Sequence, residues 1–187
     1  MIFKSWSRPF TTKRLVLRPF TPADHAAWAG GQANRLPKQN KFDPGPPPKR
    51  ELSRARFLAK IKVHQARAKL DDQYVYGVFK RDTGECLGFV DLTVFMRKSV
   101  QWANLGYNIS NQYWGQGYAT EAAKAALEIA FKRLKLHRVE AAMELDHKAS
   151  AKVARGAGLT REGVRKRFIR IGRRWADLIV YVKVAPR

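Results

Sequence analysis

Two glycines, two positions apart, stand between a strand pattern and a helix pattern at Gln112-Tyr113-Trp114-Gly115-Gln116-Gly117-Tyr118-Ala119-Thr120-Glu121. Upstream, Leu105-Gly106-Tyr107-Asn108-Ile109 is a short strand sequence. Downstream, Ala119, Ala122, Ala123, Ala126, Leu127, Ala130, Phe131 and Leu134 recur at helical spacing. Glycine lets a backbone turn tightly and lets a ligand approach closely. The first N–H groups of a helix have no partner inside it, and the dipole there favours negative charge. The stretch is therefore either a phosphate cradle or a purely structural turn. It is not a Walker A loop, because no Gly-Lys-Ser/Thr follows, and it lacks the three-glycine spacing of a dinucleotide fold.

The remaining elements follow in order. Arg14–Pro19 alternates as a strand. Thr21-Pro22-Ala23-Asp24 starts a helix with Pro in its first turn, ending near Gly30-Gly31. Residues 31–49 hold Pro37, Pro44 and Pro46-Pro47-Pro48, which makes them loop. A loop of this length in a compact domain is functional or disordered. Residues 49–70 are expected to form a basic helix with Leu52, Ala55, Leu58, Ala59 and Ala66 inward. Gln73–Lys80 and Glu85–Phe95 are strands around the turn Asp82-Thr83-Gly84. Gln101–Ile109, Tyr118–Leu134, Arg138–Leu145 and Ala149–Ala157 are strand, helix, strand and short helix. Arg167–Ile171 and Ala176–Val184 form a closing hairpin.

Charge narrows the partners. The chain has 37 Lys and Arg against 15 Asp and Glu, a net +22. The basic residues concentrate in 49–69 and 148–174. They are solvated faces, or they attract polyanions; nucleic-acid binding of this kind is salt-dependent and largely sequence-blind. A polyamine or aminoglycoside would be repelled at long range. An amine displayed on a ribosome or an acidic protein would be attracted. The single cysteine, Cys86, cannot form an internal disulfide and suits a reducing cytosol as a buried strand residue. Met1–Phe10 lacks a signal-peptide apolar core, and no apolar run approaches the ~20 residues of a membrane span. At 187 residues, the whole chain (1–187) is expected to be one domain.

Gln-x-x-Gly-x-Gly before an Ala-rich helix resembles the acyl-CoA motif of the GNAT acetyltransferases. The fuller string from Tyr113 to Ala122 is similar to the RimJ/RimL branch, which acetylates N-termini of ribosomal proteins. Thr12–Pro19, Leu105-Gly106-Tyr107, His137–Ala141, Ser150, Gly158-Leu159 and Trp175-Ala176-Asp177 match that branch in order. The likeness covers roughly residues 12–182 and is weakest over 31–70.

The resemblance implies an α/β (α+β) fold, a mixed sheet splayed between the strand ending at Ile109 and the strand Arg138–Leu145, with helices on both faces. It implies acetyl-CoA as co-substrate, no metal, and direct attack by an amine. Backbone of Tyr107, Asn108 and Ile109 would pair with the pantetheine arm. Gln112 opens the motif, and the amides of Gly115, Gln116, Gly117, Tyr118, Ala119 and Thr120 would hold the pyrophosphate. Ser150 is the candidate acid for the leaving thiolate, or else a helix N-terminal residue, because the Tyr that many relatives use is replaced by Ala154. His147 stands where relatives have a cofactor-binding Asn; it is a cofactor contact or an exposed loop residue. The Glu of many relatives is Asn104. The remaining base candidates are Asp91 and Glu144, each also readable as a salt-bridge partner, or a water relay. Residues 31–49 and the closing hairpin would form the acceptor pocket. The implied acceptor is a protein N-terminal amine. The alternatives are a small-molecule amine, or a degenerate domain that binds nucleic acid or the ribosome.

Overall fold

Alternating strands and helices build one eight-stranded sheet in the computed structural model, which describes residues 6–186. The strands are Phe10–Thr11 (β1), Leu15–Arg18 (β2), Gln73–Lys80 (β3), Cys86–Met96 (β4), Trp102–Ile109 (β5), Arg138–Glu144 (β6), Thr160–Ile171 (β7) and Arg174–Val184 (β8). The helices are His25–Ala33 (α1), Arg54–Lys69 (α2), Tyr118–Glu128 (α3, continued by a π turn over Ile129–Arg133) and Lys148–Gly156 (α4). The sheet order is β1-β2-β3-β4-β5-β6-β8-β7. Every neighbouring pair is antiparallel except β5–β6. The α/β class expected from the sequence is correct. The reading of Met1–Phe10 falls partly outside the described residues. No helix among them is long and apolar enough to cross a membrane.

Strand alternation divides the core in two. Tyr74, Tyr76 and Val78 of β3 point into the larger core with the alanine face of α3. Val75 and Phe79 point the other way, to Phe20, Phe57 and Ile61. α1 and α2 pack on this second face against β4 and β3, and among the described residues no helix packs closely on the same face of β5, β6 and β8.

Four sequence expectations are corrected here. The basic helix begins at Arg54, because Lys49–Leu52 is a 3₁₀ turn and Ser53 is the N-cap, its Oγ accepting from Arg56 N–H. Its buried residues are Phe57, Ile61 and Ala68, with Leu58 packed against the same cluster as expected, while Ala55, Ala59 and Ala66 are exposed. Burying a phenyl ring yields several times what a methyl yields, so Phe57 sets the rotation of the helix. α1 continues past Gly30-Gly31 to Ala33. Gly31 is a point of close approach rather than a stop: a Cβ there would lie 2.2 Å from the Cys86 carbonyl oxygen. β7 starts at Thr160, seven residues before the hairpin strand foreseen at Arg167. It is an exposed edge strand held by backbone pairing to β8, so it shows no apolar alternation.

The parallel β5–β6 ladder has only three rungs, Trp102↔Arg138, Ala103↔Val139 and Asn104↔Glu140. Beyond them each strand stays with its antiparallel partner. β5 follows β4 to Ile109↔Gly88, and β6 follows β8 to Glu144↔Leu178. Gly88 permits the close approach on the β4 side, where a Cβ would meet the Asn108 carbonyl at 2.0 Å. Sheet twist then carries the two pairs apart and opens a split between Leu105–Ile109 and Ala141–Glu144.

Residues 34–48 form a strap across this split. On the β5 side Arg35 reaches Asn108, and Asn111 exchanges hydrogen bonds with the Leu36 backbone. On the β6 side Lys41 Nζ lies 2.6 Å from Asp146 and 3.9 Å from Glu144, and Phe42 stacks on His147 at 3.9 Å. The strap is organised around the fully buried Asp43. Its carboxylate accepts from Arg35 (2.8 Å), Asn111 Nδ2 (2.8 Å) and the amides of Gln39 and Gly45 (3.0 Å each). Burial alone would raise its pKa. The Gly45 and Gln39 amides, Asn111 and Arg35 outweigh that and hold it down at about 2.

Because the folded pKa lies below the unfolded one, Asp43 contributes stability that is complete above about pH 4 and is lost as pH falls toward 2. Urea unfolding between pH 5 and 2 should therefore show a stability loss that Asp43→Asn abolishes, on a lower baseline. An unchanged pH slope in that variant would refute the assignment.

Candidate active site

The cradle is a left-handed turn at the outer end of β5. Gly115 (φ +77°) and Gly117 (φ +80°) occupy conformations that side chains disfavour. Gly117 is the N-cap of α3, and the first helical bond runs from Glu121 N–H to the Gly117 carbonyl. The amides from Gly115 to Thr120 have no acceptor among the described residues. Donors that converge on one concavity fit a pyrophosphate, and so does the positive end of the dipole.

Glu121 fixes this turn to the sheet. Its carboxylate accepts from Thr12 Oγ1 (2.6 Å), Arg14 N–H (3.0 Å) and Arg14 Nε (2.7 Å). Burial works to raise its pKa, but these three donors win and lower it. Arg14 also donates to the Gln116 carbonyl at 3.0 Å and lies over the Tyr118 ring at 4.4 Å. Beside it is a cavity of about 360 Å³ lined by Lys13, Arg14, Lys80, Arg81, Asp82 and Tyr118. That basic lining adjoins the cradle and suits further phosphate.

Ser150 and Tyr107 meet inside the split. The Tyr107 hydroxyl lies 2.8 Å from the Ser150 carbonyl, to which it donates, and 2.9 Å from Ser150 Oγ. Burial raises the Tyr107 pKa, so the phenol stays neutral. The sequence offered Tyr107 only as backbone. Its side-chain contact crosses 43 residues of chain and has no local signature.

The other sequence candidates divide. Gln112 turns its amide to the Gly31 carbonyl (2.9 Å), clamping α1 rather than facing the cradle. The Ile109 carbonyl already accepts from Trp114 Nε1 at 2.7 Å. Ser110 N–H donates to the Leu87 carbonyl at 2.8 Å, so antiparallel alternation turns the Asn108 backbone to β4 and the Tyr107 backbone to the split. Asn108 Oδ1 faces Arg35 at 3.4 Å. His147 is the N-cap position of α4 and holds the strap through Phe42; burial lowers its pKa, although Asp146 and Glu144 work the other way.

Asp91 lies over Gly106, where a Cβ would meet its Oδ1 at 2.3 Å, and accepts from Gln73 and Thr93. Glu144 is ion-paired with Arg174 and Lys41. Both point to the second face of the sheet, Asp91 from β4 and Glu144 from the end of β6. Residues that the sequence did not single out complete the site: Arg35, Asp43 and Asn111 in the strap network, and Glu140. Glu140 is buried at the last parallel rung and held by Arg138 (2.8 Å) and Arg165 (2.7 Å).

Comparison with known proteins agrees with this geometry. A family model described as an acetyltransferase (GNAT) domain matches residues 14–160. The probable N-acetyltransferase YjcK of Bacillus subtilis (strain 168) is 32% identical over 127 residues, 68% of this chain and 70% of that protein. The ribosomal protein uS5-alanine N-acetyltransferase of Escherichia coli (strain K12) is 26% identical over 118 residues, 63% of this chain and 61% of that protein. Mycobacterium smegmatis RimJ, solved in complex with CoA-disulfide, shares the fold. Its TM-score is 0.79 at 21% identity, over 97% of this chain and 89% of that one. From the family match and the split-sheet geometry together, the chain belongs to the GNAT acetyltransferase family.

Proposed function

We propose that this chain, acting as a single domain, transfers an acetyl group from acetyl-CoA to the N-terminal amine of a protein, of the kind found on ribosomal proteins. What supports the reading is the split between β5 and β6, with the orphan cradle amides at its end and the Tyr107–Ser150 hydrogen bond on its α4 side; Asp91 and Glu144 stand on the opposite face of the sheet. Acetyl-CoA supplies an activated thioester carbonyl when bound. The Gly115–Thr120 amides bind its pyrophosphate, and the backbone at Tyr107 orients the arm along β5. Positioning of this kind supplies a large part of the acceleration in a direct transfer.

Ser150 Oγ–H, whose partner in the structure is the Tyr107 hydroxyl oxygen, turns to donate a hydrogen bond to the departing sulfur, while Tyr107 stays anchored on the Ser150 carbonyl. Glu144 is committed to two cations, whereas the partners of Asp91 among the described residues are the neutral Gln73 and Thr93, which makes Asp91 the candidate base. A demand this modest suits an α-amine, whose unperturbed pKa of ~7.7–8.0 leaves a sizeable neutral fraction. The net charge of +22 opposes a free polyamine and favours an amine carried on a polyanionic particle. The Escherichia coli relative named for ribosomal protein uS5 supports the same acceptor class.

Gly117→Trp should abolish acetyl-CoA binding in titration calorimetry, since the ring would fill the cradle and the φ is unfavourable; retained affinity would sink the cradle. Ser150→Ala should reduce kcat by about 10²-fold or more with the KM for acetyl-CoA nearly unchanged. Parallel losses in both would make Ser150 a binding residue instead. For the acceptor, labelled acetyl-CoA should modify N-terminal peptides and ribosomal protein fractions in preference to small amines. Transfer to small amines alone would overturn the protein reading while leaving the acetyltransferase intact.

A further inference from the structure

The β7–β8 hairpin outruns the sheet. β6 supports β8 only as far as Leu178, so Arg174–Asp177 and the facing residues of β7 project beyond it. A projection with no core to cover has no structural use for large apolar groups, yet Trp175 is 59% and Phe168 54% exposed. Basic residues surround them. Arg170 is the register partner of Trp175. Arg167 adopts φ +45°, unusual for a residue with a side chain, and its N–H is held by Asp177 Oδ1 at 2.8 Å. That turn sets Arg167 beside Trp175, and the two line a concavity of about 340 Å³. Arg173, in the turn, has no ion pair or hydrogen bond among the described residues. Phe168 is steadied by Arg165, whose guanidinium lies 5.1 Å from the ring centroid.

We propose that this hairpin tip binds single-stranded RNA, with Trp175 and Phe168 stacking on bases and Arg167, Arg170 and Arg173 contacting phosphates. Exposed aromatic faces interleaved with guanidinium groups match unstacked bases on a charged backbone. A duplex hides its base faces, and an acidic peptide supplies charge without planar rings, so neither uses both halves of the surface. The choice of RNA over DNA rests on the ribosomal acceptor reading. The location fits it: Arg174 at the tip pairs with Glu144, which Lys41 of the strap also approaches, so RNA on the hairpin lies beside the mouth of the split.

The test is fluorescence anisotropy of the full chain with a labelled, unstructured RNA of about 16 nucleotides. Log affinity should fall with log salt at a slope of about −2 for three phosphate contacts, at ~0.7 each. Trp175→Ala should weaken binding by about 5- to 100-fold, with melting temperature as the folding control. Arg173→Glu, a change in an exposed turn, should weaken binding and flatten the slope by about 0.7 or more. Lys62→Ala on α2, at the other half of the sheet, should leave affinity within about twofold. Unchanged affinity in both hairpin variants would overturn the proposal. So would equal competition by duplex RNA or poly-glutamate, or tighter binding of single-stranded DNA of the same sequence. Acetylation of peptides is measured separately, so loss of the RNA surface and loss of the acceptor reading are distinguishable.

Discussion

Three rungs of parallel pairing hold the two halves of the sheet together, and the site depends on their ending at Asn104↔Glu140. Had the ladder continued, β5 and β6 would have satisfied one another and left no backbone edge for a ligand. The split is stable because each strand is fully committed elsewhere, β5 to β4 and β6 to β8. Glu140 marks the point of divergence. Its buried carboxylate ties β6 to β7 through Arg165 and is held from within its own strand by Arg138. A buried charge with one partner removed is costly, so the pairing resists any drift of the edge hairpin away from the split.

A second buried carboxylate governs the open side. Asp43 gathers Arg35, Asn111 and two backbone amides, which makes a Pro-rich segment with no regular structure into a defined strap. The strap is joined to β5 by neutral and charged hydrogen bonds and to β6 by an ion pair and one ring stack. Its β6 contacts are half-exposed and weaker, so the strap is fixed at one side of the split and more easily released at the other.

Much of this was legible in the chain. The glycine turn, the strand before it and the alanine-faced helix after it are local features, and local sterics place them wherever the tertiary fold puts them. The β3–β4 hairpin at Asp82-Thr83-Gly84 was legible for the same reason, since Gly84 takes the left-handed turn itself (φ +74°). The phase of the basic helix was not. Its alanines recur at helical spacing, but the rotation was decided by Phe57 meeting Phe20, which follows β2, in a cluster that includes Phe79 of β3. Gln112 misled in a similar way: it belongs to the motif, yet its side chain serves Gly31 of α1.

By itself, then, the sequence determined the elements, the cradle and the basic character, because turn chemistry, side-chain periodicity and net charge are properties of short segments. The tertiary structure alone decided where the ladder stops, which carboxylates are committed to arginines, and that Tyr107 and Ser150 share a hydrogen bond. These depend on contacts between residues tens of positions apart, whose energies are set by burial and distance rather than by neighbouring sequence.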